Sequence, residues 1–207
     1  MTHDPEKVLI YHITDVANLP AILAENSLLS DAVMAKRTPE VVIGYDHIKL
    51  RRLQKILVPC CGWRRVGEFV PFYFCPRSPM LYTVNIGKTG RPLGCQKSIV
   101  HLVSTMAAGI AMSSQWAVSS GNAGAFHTTY SAKTEALDGL DWPAIRAVQW
   151  QGMQHQKMAE FLVADSFPWA GIQEIGCQNS TVAGRVREIL AAADHRPVVE
   201  VRTAWYY

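Results

Sequence analysis

The chain has 207 residues, 49% of them apolar and 18% charged, with a formal net charge of +3. That length suits one compact domain burying about 70% of its unfolded surface, which excludes a disordered tail, a coiled coil and a need for staples. No apolar run reaches the ~18 residues of a membrane span, residues 1–20 lack a signal-peptide core, and the five cysteines include no CxxC pair, so a disulfide framework or zinc knuckle is not expected and a cytoplasmic location is.

Residues 7–14 (Lys-Val-Leu-Ile-Tyr-His-Ile-Thr) predict an opening strand. Asn18 or Asp15 then caps a short helix near 16–26, with Pro20 in its first turn and Val16, Leu19, Ile22 and Leu23 as its buried stripe. A short helix is expected around 47–57. Phe69 to Cys75 reads as a strand ended by Pro76, Pro79-Met80-Leu81-Tyr82 as a turn or helix, and 87–94 as a Gly/Pro loop. Residues 98–106 are the best central-strand candidate. Ala111 to Val118 fits a helix or a strand equally. Residues 119–149 carry turn chemistry throughout, and a loop of that length in a compact domain usually has a function. Beyond it come a helical Met153 to Ala159, a buried strand from Glu160 to Ala164, a strand at 172–177, a helix capped by Asn179-Ser180-Thr181 through about Ala193, and a last strand at 197–205. Short strands mixed with short helices make an α+β pattern.

The charge is unevenly spread. Between residues 36 and 65, eight basic residues (Lys36, Arg37, Lys49, Arg51, Arg52, Lys55, Arg64 and Arg65) stand against Glu40 and Asp46. This is the footprint of a polyanion partner if the side chains converge, with Tyr45 and Trp63 to stack bases, and otherwise a solvated basic face. Neither GxxxxGK[ST] nor GxGxxG occurs, so the usual phosphate loops are excluded. His47, His101, His127 and His155 lack metal-ligand spacing, and no metal is expected. His12 and Thr14, two apart on a strand, share one face, as pocket groups or as ordinary core residues. Glu160 opens an apolar strand, where an unpaired buried carboxylate is costly, so it is either an exposed strand end or a partnered functional group.

In chain order, Tyr11-His12-Ile13-Thr14, Ile48-Lys49-Leu50-Arg51-Arg52, the run from Pro71 to Tyr82, and Lys157-Met158-Ala159-Glu160-Phe161-Leu162-Val163 resemble the DarT family of DNA-targeting ADP-ribosyltransferase toxins. The resemblance extends from about residue 8 to the C-terminus. It implies a split mixed β-sheet with short helices around an NAD cleft, NAD as co-substrate, transfer of ADP-ribose to a thymine of single-stranded DNA, and a macrodomain antitoxin as partner. Carried over by motif, Glu160 and Arg51 are the catalytic candidates. His12, Ile13, Thr14, Leu29, Arg51, Tyr73, Phe74 and Met80 are the NAD candidates, with Tyr73 and Phe74 competing for one aromatic place. Tyr45, His47, Arg52 and Tyr130 are the nucleic-acid candidates. Residues 35–53 would cover NAD, and 119–159 would recognise the substrate. A monomer away from membranes is expected.

The residue types suit that chemistry. A carboxylate stabilises an oxocarbenium-like ribose, an arginine holds a pyrophosphate, and the Watson–Crick edge of thymine is reachable only in a single or flipped strand. Glu160 is the expected acceptor of the thymine proton, since a guanidinium stays protonated. Three rivals remain: a protein- or RNA-directed transferase, a non-enzymatic single-strand-binding module, and an NAD glycohydrolase.

Overall fold

The computed structural model describes residues 3–35 and 46–207. Twelve strands and eight α-helices alternate along the described residues. The first half holds β1 (Leu9–Asp15), α1 (Leu19–Ala24), β2 (Ser27–Leu29), α2 (Asp31–Met34), α3 (Asp46–Gln54), β3 (Leu57–Val58), β4 (Arg64–Arg65), β5 (Phe69–Tyr73) and α4 (Pro79–Asn85). The second holds β6 (Ile99–Thr105), α5 (Met106–Ala111), β7 (Trp116–Asn122), β8 (Tyr130–Ser131), α6 (Trp142–Arg146), α7 (Gln154–Lys157), β9 (Ala159–Ala164), β10 (Ser166–Pro168), β11 (Glu174–Cys177), α8 (Ser180–Leu190) and β12 (Val198–Val201). The expected basic residues Lys36 and Arg37, the aromatic Tyr45, the side chains of His47 and Lys49, and most of the 35–53 element lie outside the described residues.

Eight strands form one sheet in the order β12-β11-β6-β1-β5-β9-β7-β8. Only the β11–β12 pair is parallel, which makes the sheet mixed. It is also split. β1 pairs with β6 along its whole length, from Leu9↔Thr105 to Asp15↔Ile99, but meets β5 at the single register pair Tyr11↔Tyr73. The seam between the half-sheets is held by very little backbone pairing.

Central strands read as unbroken apolar runs because both faces are covered. In β9 all six residues are buried, and in β6 all but Thr105. The larger core faces α5, α6 and α8, with Phe72, Leu102, Phe161, Phe167 and Trp169 at its centre. The opposite face carries a smaller cluster of Ile13, Tyr73, Leu81, Val84, Ile99 and Tyr206. Gly109 on α5 is a required close approach: a Cβ there would lie 2.4 Å from the ring of fully buried Phe161.

Several elements differ from expectation. The first helix is a 3-10 turn, Val16–Asn18, followed by α1. Asp15 is the cap, accepting the Ala17 N–H at 3.0 Å, and Asn18 makes no capping bond. The 119–149 stretch is not one loop: β7 runs to Asn122, and β8, a 3-10 turn at Thr134–Gly139 and α6 lie within it. Ala111 to Val118 is both alternatives in sequence, the end of α5 and the start of β7. The chain leaves β5 at Tyr73, before Cys75. The last strand stops at Val201 because its side chains are mostly exposed and a 3-10 turn, Thr203–Trp205, follows. The ribbon formed by β2 and β10, Leu28 opposite Phe167, was not foreseen. Three-residue strands carry no readable period.

Candidate active site

Glu160 is the second residue of β9, directly opposite Tyr73 of β5. Its residue surface is only 1% exposed, so it is not the open end of a strand. A buried carboxylate persists only where its oxygens are satisfied. On the other flank, β7 loses register with β9 between Val118 and Asn122. This irregularity lifts residues 119–121 out of the ladder, as β-bulges do beside active sites. The Glu160 backbone N–H therefore donates to Ser119 Oγ at 2.9 Å instead of to a backbone carbonyl. The Ala123 N–H swings in to donate to Glu160 Oε1 at 3.0 Å.

The remaining lone pairs meet Arg52. Its Nη1 donates to Oε1 at 3.2 Å and its Nη2 to Oε2 at 3.0 Å, a fork-to-fork pair. The Arg52 side chain is 11% exposed. Burial disfavours its charge, yet the facing Glu160 carboxylate outweighs this and raises its pKa. Tyr73 closes the group: burial, and then the charge of Glu160, push its phenol well above the ordinary value. The Tyr130 hydroxyl donates to the Ala123 carbonyl at 2.7 Å and braces the turn that holds Glu160. Its pKa is raised by burial first and by Glu160 second.

Arg51 takes the other side of the same turn. Its Nη2 donates to the Gly124 carbonyl, and its guanidinium carbon stands 5.3 Å from the Phe126 ring centroid. Its Nε is buried without a hydrogen-bond partner. Adjacent residues on α3 point about 100° apart, so Arg51 grips the 124–126 turn while Arg52 grips Glu160. Of the two, it is Arg52, expected on nucleic acid, that sits on the carboxylate.

The other expected residues lie across the seam. His12 Nδ1 is 2.9 Å from the Pro71 carbonyl, which places the proton on Nδ1, and its ring lies 5.7 Å from Phe72. Thr14 Oγ1 accepts from Asn18 Nδ2 at 3.2 Å. Strand alternation turns these two side chains away from Ile13, which packs with Tyr73 and Met80 on the opposite face. Leu29 is half-buried on β2, opposite Ser166. Phe74 is buried edge-on against Trp142 at 5.7 Å, within the larger core. Tyr73 thus stands with Glu160 while Phe74 serves packing. The basic residues of 51–65 do not form one face: Arg64 pairs with Asp165 and Glu68, while Lys55 and Arg65 are exposed. Among the described residues no three His, Cys, Asp or Glu side chains converge on a metal position.

Ser119 and the Ala123 N–H escaped the sequence reading. The small polar run Ser119-Ser120-Gly121 at the end of β7, where a strand would otherwise continue its apolar pattern, is the signal that could have found them.

A split mixed sheet with a buried, cradled glutamate beside the seam defines an ADP-ribosyltransferase, and known proteins agree. Residues 11–207 match the family model described as "ssDNA thymidine ADP-ribosyltransferase, DarT". The chain belongs to the DarT family and is an NAD-dependent enzyme that ADP-ribosylates single-stranded DNA. A DNA ADP-ribosyl transferase of Thermus aquaticus is 39% identical over 98% of this chain and 90% of its own length. The DarT of Thermus sp. 2.9 in complex with ADP-ribosylated single-stranded DNA superposes with a TM-score of 0.91 at 37% identity, covering both chains completely. Its complex with NAD+ gives a TM-score of 0.85 at 35% identity, covering 99% of this chain and 100% of that one. A DNA ADP-ribosyl transferase–DNA ADP-ribosyl glycohydrolase fusion protein of Thermosipho africanus is 38% identical over 35% of this chain and 18% of its own length.

Proposed function

We propose that this chain is a toxin that moves ADP-ribose from NAD to a ring nitrogen of thymine in single-stranded DNA, with Glu160 as its catalytic carboxylate. The observation that carries the role of Glu160 is its cradle: two bonds from Arg52 and one from the Ala123 N–H fix a charged oxygen pair in a nearly dry site. A preorganised negative charge there stabilises the positive ribose carbon as the bond to nicotinamide breaks. Nicotinamide leaves with the bonding pair, the thymine nitrogen bonds to the same carbon, and the thymine proton passes to Glu160.

Arg51 holds the pyrophosphate of NAD. In support, its Nε is buried and unpartnered, and among the described residues its charge meets a carbonyl and a ring and no carboxylate. Tyr73 is the aromatic of the nicotinamide site, with Ile13 and Met80 on its face, while His12 and Thr14, turned to the other face of β1, and Leu29 reach NAD where the seam opens. Arg52 and Tyr130 are positioning residues for Glu160, whose bonds they brace. Residues 119–159 recognise the strand, and 35–53 cover NAD. The protein works as a monomer in the cytoplasm. A macrodomain antitoxin removes its mark, a pairing that the Thermosipho fusion of transferase and glycohydrolase supports. No helix among the described residues is long and apolar enough to cross a membrane.

The test is mass spectrometry of a mixed-sequence oligonucleotide incubated with NAD and either wild type or Glu160→Gln. One added ADP-ribose on thymidine-containing single strands is expected. It should be absent on duplex, and the variant should be slowed by at least about 10²-fold. Release of nicotinamide with no labelled strand would instead mean a protein acceptor or a glycohydrolase.

A further inference from the structure

A second cluster of positive charge lies away from Glu160. Arg77, Arg146 and Lys157 line a cavity of about 260 Å³ together with Tyr11, Cys75 and Val148. Among the described residues none of the three cations pairs with a carboxylate. Lys157 is 1% exposed, and its ammonium donates to the Ile145 carbonyl at 2.9 Å and the Ala147 carbonyl at 2.8 Å. Burial, with the nearby Arg77 adding to it, lowers the Lys157 pKa, and the Cys75 thiol works the other way. Arg77 rests on the Tyr207 ring, its guanidinium carbon 4.6 Å from the centroid, and its Nε is buried without a hydrogen-bond partner. Arg146 is exposed at the rim, over the Trp142 ring at 5.1 Å.

Three cations around one cavity, with an unmet donor and no counter-charge, form an unfinished ion pair. An anion completes it. The cavity walls say which. One wall, Ile145 to Val148 with Lys157, belongs to the segment read as recognising the DNA strand. The other follows β5 directly after Tyr73. The Tyr207 ring under Arg77 meets Tyr82 edge-on, Tyr82 meets Trp150 edge-on, and Trp150 Nε1 donates to the Tyr207 hydroxyl at 3.1 Å. A phosphate site walled by the strand-recognising segment, with one of its arginines seated on an aromatic cluster, suits a single strand better than a lone ion.

We infer that this cavity is a phosphate subsite for the DNA strand, in which Arg77 and Arg146 bind a backbone phosphate next to the target thymidine and Lys157 fixes the 145–147 wall. The inference rests on the DNA-transferase reading and deepens it. A phosphodiester of DNA and the pyrophosphate of NAD share this chemistry, so the test has an arm for each.

Arg77→Gln and Arg146→Gln are compared with wild type and with Arg185→Gln, an exposed arginine of α8 that does not line the cavity. Binding of a fluorescent thymidine-containing oligonucleotide is followed by anisotropy across a salt series, and KM values for oligonucleotide and NAD are measured separately. Each cavity variant should weaken strand binding about tenfold and reduce the salt slope by about one, with the NAD KM unchanged. Arg146 is exposed, so its variant is informative even if Arg77→Gln folds poorly. A raised NAD KM with unchanged strand binding would assign the cavity to NAD and overturn the proposal, as would no change in either. A wild type that binds the oligonucleotide but never labels it would overturn the underlying reading, and this inference with it.

Discussion

Replacing Arg52 with Met keeps most of the side-chain volume and removes one charge and two hydrogen bonds. Glu160, 1% exposed, would keep the Ala123 N–H at 3.0 Å and lose the bonds at 3.2 and 3.0 Å. Breaking a buried ion pair from one side costs about 3–5 kcal/mol, because the other charge stays buried and unpaired. The Arg52 side chain is 11% exposed, so water can enter the vacated space, and the loss should fall at the low end, about 3 kcal/mol. Of the 5–15 kcal/mol typical of a domain, that leaves the variant folded at room temperature. Its melting midpoint should fall by about 6–12 °C at this chain length. The companion is Arg52→Met with Glu160→Gln, which removes both charges. Its cost should be smaller than the sum of the single variants by about 2 kcal/mol. Urea titration followed by tryptophan fluorescence measures all four proteins. An Arg52→Met variant within about 1 kcal/mol of wild type, or a strictly additive double variant, would falsify the claim that this pair is a coupled buried unit.

His101 offers a test of pH dependence. It is fully buried, with Nε2 at 2.9 Å from the Pro76 carbonyl and Nδ1 facing the Tyr206 hydroxyl at 3.2 Å. Burial lowers its pKa from 6.5 to about 4, against the pull of the Pro76 and Gly176 backbone. The unfolded chain therefore binds the extra proton first as pH falls, so this stability is complete above about 6.5 and is lost progressively toward 4, by about 3 kcal/mol. His101→Phe should flatten that part of the stability curve, and an unchanged slope in denaturation between these pH values would refute the assignment. Gly109→Ala should cost about 1–3 kcal/mol by pressing a methyl group into Phe161, the neighbour of Glu160. A thermal midpoint equal to wild type would mean that α5 shifts freely.

Much of the site was legible in the sequence because its chemistry sits on strands of strong pattern. The apolar run after Glu160 marks a central strand, and a carboxylate at its mouth needs partners wherever the chain folds. β1 and β6 were readable for the same reason. Other assignments depended on contacts that no local pattern encodes. Arg51 and Arg52 are equivalent in composition and differ only in which way α3 turns them. Tyr73 and Phe74 are separated only by the face on which the Tyr11↔Tyr73 bridge sets each. That Lys157, at the end of α7, is buried beside Cys75 and Arg77 is set by the fold alone.

The sequence by itself determined the fold class and the central strands, while its motifs carried the resemblance to the family and the candidate carboxylate Glu160. The fold class and the strands follow from hydrophobic pattern and residue type along single stretches of chain. Only the tertiary structure decided which arginine meets Glu160, how the β7 irregularity delivers the Ala123 N–H, and that Arg77 shares one cavity with the distant Arg146 and Lys157. Each of these rests on groups far apart in sequence reaching hydrogen-bond or Coulomb distance. That is a property of how the strands pair across the seam, and hydrophobic periodicity does not specify it.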